Sequence, residues 1–127
     1  MDIAIKENVL KICKLLDEKK AEEIIAVYVA DKTIIADWFI ICSGRSNAHV
    51  KALCDELSEK FPEGMELRRT EGYQESRWVV LDFATVLVHV FHPEERKYYN
   101  LERLWTGTLD EVIDYSRMIS GESLVLS

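Results

Sequence analysis

A chain of 127 residues, 48% hydrophobic and 31% charged, suits a single domain with one packed core and argues against disorder. No apolar run approaches the ~20 residues that span a bilayer. The net charge of −7 opposes phosphate backbones, so stand-alone nucleic-acid binding is disfavoured, whereas a basic protein partner is allowed.

Residues 1–6 lack the basic start and apolar core of a signal peptide, which points to a cytoplasmic address. The first element is a helix over residues 3–17, where Ile5, Val9, Ile12, Cys13 and Leu16 return to one face. Ile24–Ala30 is a near-continuous apolar run rich in β-branched residues. Asp31-Lys32 breaks it, and Trp38–Cys42 is a second such run. Runs of this kind suit strands covered on both faces. Ser43-Gly44-Arg45-Ser46-Asn47 leads into the next helix, with Ser46 as its N-cap. Val50, Leu53, Cys54, Leu57 and Phe61 make one apolar stripe. Lys51 with Asp55 and Glu56 with Lys60 are i,i+4 pairs on its wet side. Pro62 and Gly64 end this helix.

Met65–Thr70 reads as a short polar edge strand, and Arg77–Phe83 and Thr85–Phe91 as two strong strands joined very tightly. Pro93 opens a short helix with Glu94 and Glu95 in its first turn, where acids suit the helix dipole. Leu101, Leu104 and Trp105 continue an apolar face. After Gly107, Thr108 and Glu111 form a capping box for a last helix carrying Leu109, Val112 and Ile113. This order predicts an α/β fold: a mixed sheet of about five strands with flanking helices.

If Ala84-Thr85 is a two-residue turn, Phe83 pairs with Val86, Leu81 with Val88 and Val79 with Val90. That face is wholly apolar and belongs to the core. The opposite face collects Trp78, Val80, Asp82, Leu87, His89 and Phe91. It either lies under a helix, with Asp82 and His89 paired, or stands partly open as a protein-binding face with aromatic anchors among polar groups. In the second case neither Trp78→Ala nor Asp82→Lys is expected to destabilise the free protein greatly. Ala84-Thr85 lacks the Gly or Asn that a tight primed turn prefers.

Signals for chemistry are sparse. Ser43-Gly44-Arg45-Ser46 has a single glycine and matches no phosphate-binding fingerprint, so an ordinary capped loop is expected. Metal-assisted phosphoryl or nucleotidyl transfer calls for clustered carboxylates, and Asp37 and Asp82 stand singly. His89 and His92 are three apart and fall on opposite faces of a strand. His92 before Pro93 suits a helix start, and His49 reads as a solvated first-turn residue. Cys42 and Ser43 have no evident base beside them. Cys13, Cys42 and Cys54 lie far apart among apolar neighbours and read as buried free thiols. No cofactor or metal is expected.

Three segments taken together resemble the ribosomal silencing factor family, also called Iojap. They are Asp37-Trp38-Phe39-Ile40-Ile41-Cys42-Ser43-Gly44-Arg45-Ser46-Asn47 with His49-Val50-Lys51; Glu71-Gly72-Tyr73 with Arg77-Trp78-Val79-Val80-Leu81-Asp82-Phe83; and Val88-His89-Val90-Phe91-His92-Pro93 with Tyr98-Tyr99-Asn100-Leu101-Glu102-Arg103-Leu104-Trp105. The resemblance runs from the first helix to Trp105. It sets a domain of residues 1–105 and a tail of 106–127, the latter read as one amphipathic helix that covers the domain, pairs protomers or acts locally.

The resemblance implies a fold similar to nucleotidyltransferases without their catalytic acids. It further implies binding of the large ribosomal subunit through its protein L-fourteen, a block on joining of the small subunit, and repression of translation under nutrient limitation. Trp78 and Asp82 carry over as contact residues, and the strand register adds Val80, Leu87 and His89. The family's Gly-Asp at the hairpin tip is replaced here by Ala84-Thr85. Two other readings stand beside this one: a nucleotidyl- or phosphoryl-transfer enzyme on the same fold, and a homodimeric adaptor.

Overall fold

The structure, a computed structural model, describes residues 3–98 and 112–119. Helix α1 (Ile3–Glu18) leads into β1 (Glu22–Tyr28), β2 (Trp38–Ser43), helix α2 (Asn47–Lys60), β3 (Arg69–Glu71), β4 (Trp78–Asp82) and β5 (Val86–Phe91). Helix α3 (Pro93–Tyr98), β6 (Val112–Asp114) and the short helix α4 (Tyr115–Ile119) follow. The strands form one sheet in the order β3-β4-β5-β2-β1-β6. β2 and β5 run parallel, and every other neighbour is antiparallel.

The apolar spacing of α1 and α2 places both helices on one face of the sheet. Val9, Ile12 and Leu16 of α1, and Val50, Leu53 and Leu57 of α2, join Ile40, Leu81 and Val88 in the main core. Ser46 caps α2, its hydroxyl accepting the His49 N–H at 3.1 Å. On the wet side, Glu56 and Lys60 pair at 3.3 Å as their spacing predicts. Asp55 instead accepts the Tyr73 hydroxyl at 2.9 Å, and the Lys51 ammonium lies 5.5 Å from the Tyr73 ring centre. Gly72 makes room for this strand connection, since a Cβ there would stand 2.3 Å from the Trp78 carbonyl oxygen. The other face of the sheet holds a smaller cluster: Val27, Phe39, Ile41, Phe91 and Val112, with Trp78 and Leu87 partly buried against it.

Two expectations are corrected. The sheet has six strands, not about five, and the tail is not a single helix. Val112–Asp114 pairs antiparallel with β1, matching Ala26 to Ile113 and Val27 to Val112. Adjacent Val112 and Ile113 are buried in opposite clusters. This is the alternation of a strand covered on both faces, and over so few residues it mimics a helical pair. The added strand also covers the outer edge of β1, which would otherwise be open to pairing with another chain. The Ile24 N–H donates to the Ser116 hydroxyl at 2.8 Å, fastening α4 beside it. Tyr99–Trp105 and the capping box at Thr108 and Glu111 lie outside the described residues.

A candidate partner-binding face on the β4–β5 hairpin

The hairpin register follows the alternation of the sequence. Val79 pairs with Val90 and Leu81 with Val88, and all four are fully buried. On the opposite face Trp78 pairs with Phe91, Val80 with His89 and Asp82 with Leu87. The structure therefore brings Trp78, Val80, Asp82, Leu87 and His89 together. They are not equally accessible. Trp78, Val80, Asp82 and Leu87 are half-buried, whereas His89 is only 6% exposed. This gradient falls between the two sequence readings: Trp78, Val80, Asp82 and Leu87 stay partly open, and His89 and Phe91 are closed off where Phe39 packs.

The tip shows how the chain manages without glycine. The Phe83 N–H donates to the Val86 carbonyl at 2.9 Å, closing a tight turn, and Ala84 takes a left-handed φ of 69°. The Asp82 carboxylate accepts the Ala84 N–H at 2.8 Å and lies 3.6 Å from the Arg69 guanidinium on β3. Asp82 is thus a turn-holding residue as well as a face residue. Asp82→Lys therefore carries a cost at the turn that the sequence alone does not show. Losing a charged acceptor is expected to cost about 1–2 kcal/mol. Ala84→Gly, in contrast, is expected to raise stability by about 1 kcal/mol, since it relieves Cβ strain at positive φ. Urea denaturation measures this, and an unchanged or lower midpoint contradicts it.

Trp78 is braced from beneath. Its indole stacks on Phe91 with ring centres 5.0 Å apart, and its Nε1–H donates to His89 Nδ1 at 3.1 Å. An indole N–H can only donate, so His89 Nδ1 accepts and Nε2 carries the imidazole proton. Phe39 meets the same ring edge-on at 4.9 Å. Burial lowers the His89 pKa from 6.5 to about 4, so the ring is neutral at pH 7. His89 Nε2 is buried with no hydrogen-bond partner among the described residues. Val80, Asp82, Leu87 and His89, together with Ile35 and Arg69, line a concavity of about 430 Å³.

The other candidates resolve into structural roles. In the Ser43–Asn47 loop, the Gly44 N–H donates to the Phe91 carbonyl and the Arg45 N–H to His49 Nδ1, each at 2.9 Å. These donors are therefore not turned toward an anion. A Cβ at Gly44 would stand 2.9 Å from Val50, so glycine here lets the loop pack on α2. His49 also reaches the Lys19 carbonyl at 2.7 Å, linking two loops where a merely solvated ring was expected. His92 Nδ1 accepts the Glu94 N–H at 3.3 Å at the start of α3. Arg77 clamps that first turn through Glu94 and Glu95, at 3.0 and 2.9 Å. Cys13, Cys42 and Cys54 are buried free thiols; burial raises all three pKa values, those of Cys42 and Cys54 to about 12. Sequence reasoning missed Arg96, a buried cation that donates to the Ser43 hydroxyl at 3.1 Å. Its one weak signal was its place one turn beyond His92 on α3. Among the described residues, no group of His, Cys, Asp and Glu side chains could hold a metal ion. No helix among them is long and apolar enough to cross a membrane.

Comparison with known proteins agrees with this layout. The family model described as ribosomal silencing factor during starvation matches residues 2–123, well past Trp105. A protein of Halalkalibacterium halodurans named ribosomal silencing factor RsfS is 48% identical over 91 residues, covering 71% of this chain and 78% of that one. A mouse protein named mitochondrial assembly of ribosomal large subunit protein 1 is 29% identical over 127 residues, covering 96% of this chain and 54% of its own length. A crystal structure of a Chromobacterium violaceum protein superposes with a TM-score of 0.76 at 33% identity, covering 85% of this chain and 89% of that one. The matched span takes in the braced hairpin, the clamp at α3 and the added edge strand alike, and the chain belongs to the ribosomal silencing factor family.

Proposed function

We propose that the chain binds the large ribosomal subunit through ribosomal protein L-fourteen, and that the half-open hairpin face makes the contact. Trp78 is the aromatic anchor, Val80 and Leu87 are its apolar surround, and Asp82 offers charge at the rim. His89 acts from beneath, holding the indole in place. The observation that carries this reading is the bracing of Trp78 by Phe91 and His89. A large side chain fixed before binding loses little freedom on docking, and such residues dominate interface energies. Family membership supports a ribosomal role, and the name of the mouse relative supports the large subunit.

A protein seated on that surface excludes the small subunit by occupying its place, and so represses translation. Free large subunits are removed by mass action. This mechanism needs no catalysis, cofactor or metal. The nucleotidyltransferase-like layout without catalytic acids belongs to the same reading: Asp82, the one carboxylate on the hairpin face, is committed to its turn and to Arg69. The site of action is the cytoplasm.

Cosedimentation with purified large subunits tests the proposal, and Val80→Lys is the control for the face. The parent is expected in the large-subunit fraction and the variant in the supernatant. A parent that stays in the supernatant at saturating concentration overturns the reading; self-association without subunit binding would instead favour the homodimeric adaptor. The charge of −7 adds a kinetic expectation. If opposite charges steer the encounter with a basic protein, raising salt slows association far more than it changes dissociation. An association rate indifferent to salt contradicts steering.

A further inference from the structure

Ile34 and Ile35 are the exposed large hydrophobic residues among the described part of the chain, at 104% and 62% exposure. They are adjacent at the tip of the connection between β1 and β2. Single apolar side chains on a surface are ordinary, but two neighbouring β-branched ones held out into water ask for a partner. The loop that carries them is built, not slack. The Val29 N–H donates to the Asp37 carbonyl at 2.8 Å, and the Val29 carbonyl accepts from Lys32 and Thr33 at 2.9 and 3.1 Å. The Ile35 N–H donates to the Thr33 hydroxyl at 3.2 Å. Next to the pair, Ala36 is buried in the smaller cluster and the Asp37 N–H donates to the Thr85 carbonyl at 2.8 Å, tying the loop to the hairpin tip.

Ile35 also forms a wall of the concavity lined by Val80, Asp82, Leu87 and His89. The tip and the hairpin face are therefore one continuous surface. We infer that Ile34 and Ile35 are a second anchor of that surface, seating in an apolar recess of the protein bound at the hairpin face. This inference rests on the hairpin face being a docking surface. The occupant is a protein and not RNA, because aliphatic side chains offer no charge, stacking plane or hydrogen bond to nucleotides. A lipid surface is disfavoured by Asp31 and Asp37, which flank the tip, and by the net charge of −7, which anionic headgroups repel. Preorganised loop geometry lowers the ordering cost of docking, as it does for Trp78.

The test uses the full chain and purified large subunits, and compares the parent with Ile34→Ser, Ile34→Leu and the double variant Ile34→Ser with Ile35→Ser. Melting temperatures are measured alongside, and because Ile34 touches solvent all round, the single variants report even if the double one is weakened. The expected result is binding about tenfold weaker in the double variant, partial loss in Ile34→Ser, retention in Ile34→Leu, and an unchanged melting temperature for Ile34→Ser. Parent-like binding by the double variant overturns the anchor and leaves the hairpin face standing. Loss of self-association with unchanged subunit binding also overturns it, by giving the tip to a second copy of the chain. If the parent itself fails to bind subunits, the hairpin face falls and the anchor with it. In that case flotation with anionic vesicles identifies a lipid role.

Discussion

Leu81→Ala is expected to lower stability by about 2–5 kcal/mol, because it leaves a cavity in the main core. Leu81 is fully buried and belongs to the cluster beneath α1 and α2. Trp78→Ala, three positions earlier on the same strand, is expected to behave differently. Its side chain is half-buried, so its removal is expected to cost about 2 kcal/mol of stability, below the usual figure for a fully buried tryptophan. Its larger effect is on binding, where loss of a braced aromatic anchor is expected to weaken association by ~2 kcal/mol or more. Val80→Lys completes the set. Val80 is half-buried, holds no turn and faces the same way as Trp78. Lysine there sets like charge against a basic partner with about 1 kcal/mol or less of stability lost. Chemical denaturation and subunit cosedimentation on the same three variants separate the two faces. A Trp78→Ala loss of about 3–5 kcal/mol, the size expected for a fully buried tryptophan, would make the hairpin face a core; parent-like binding by both Trp78→Ala and Val80→Lys would remove it as the contact.

Acid is expected to weaken the fold through His89. Its folded pKa is near 4, against an ordinary value of 6.5, and the cause is burial. The neutral ring is the form the fold accepts: protonation at Nδ1 would replace an acceptor with a donor opposite the Trp78 N–H. Between these pKa values the unfolded chain binds a proton that the folded chain refuses. The stabilising contribution is therefore complete above about pH 6.5 and lost as the pH falls toward 4, in total roughly 3 kcal/mol. Carboxylates add their own dependence near the lower end, so the informative quantity is the difference between the parent and His89→Gln, which does not titrate. The parent is expected to lose more stability than the variant between pH 6.5 and 4. Parallel pH curves, or a His89 imidazole resonance that titrates near 6.5, would contradict the burial argument.

Much of this was legible in the sequence because its cause was local. The alternation in β4 and β5 fixes which residues share a face, and the register puts Val79, Leu81, Val86, Val88 and Val90 inward. Ser46 and Pro93 mark helix starts through short-range chemistry. What escaped depended on distant neighbours. His49 meets the Lys19 carbonyl across 30 positions, and no spacing rule connects them. The double duty of Asp82 follows from the orientation of the Ala84 N–H, which exists only once the turn has formed. Arg96 is buried through Ser43, 53 positions away. Val112 and Ile113 were misread because three residues are too few to separate a strand period from a helical one. Which half of the hairpin face stays open was likewise illegible, since it depends on where Phe39 and Phe91 pack.

The most direct test is subunit joining. Purified large subunits are incubated with the chain at saturating concentration, small subunits are added, and assembled ribosomes are measured on a sucrose gradient. The account predicts that assembly falls with added chain, that the chain travels with the free large subunits, and that Trp78→Ala and Val80→Lys restore joining. Undiminished assembly in the presence of large subunits saturated with the chain would contradict it.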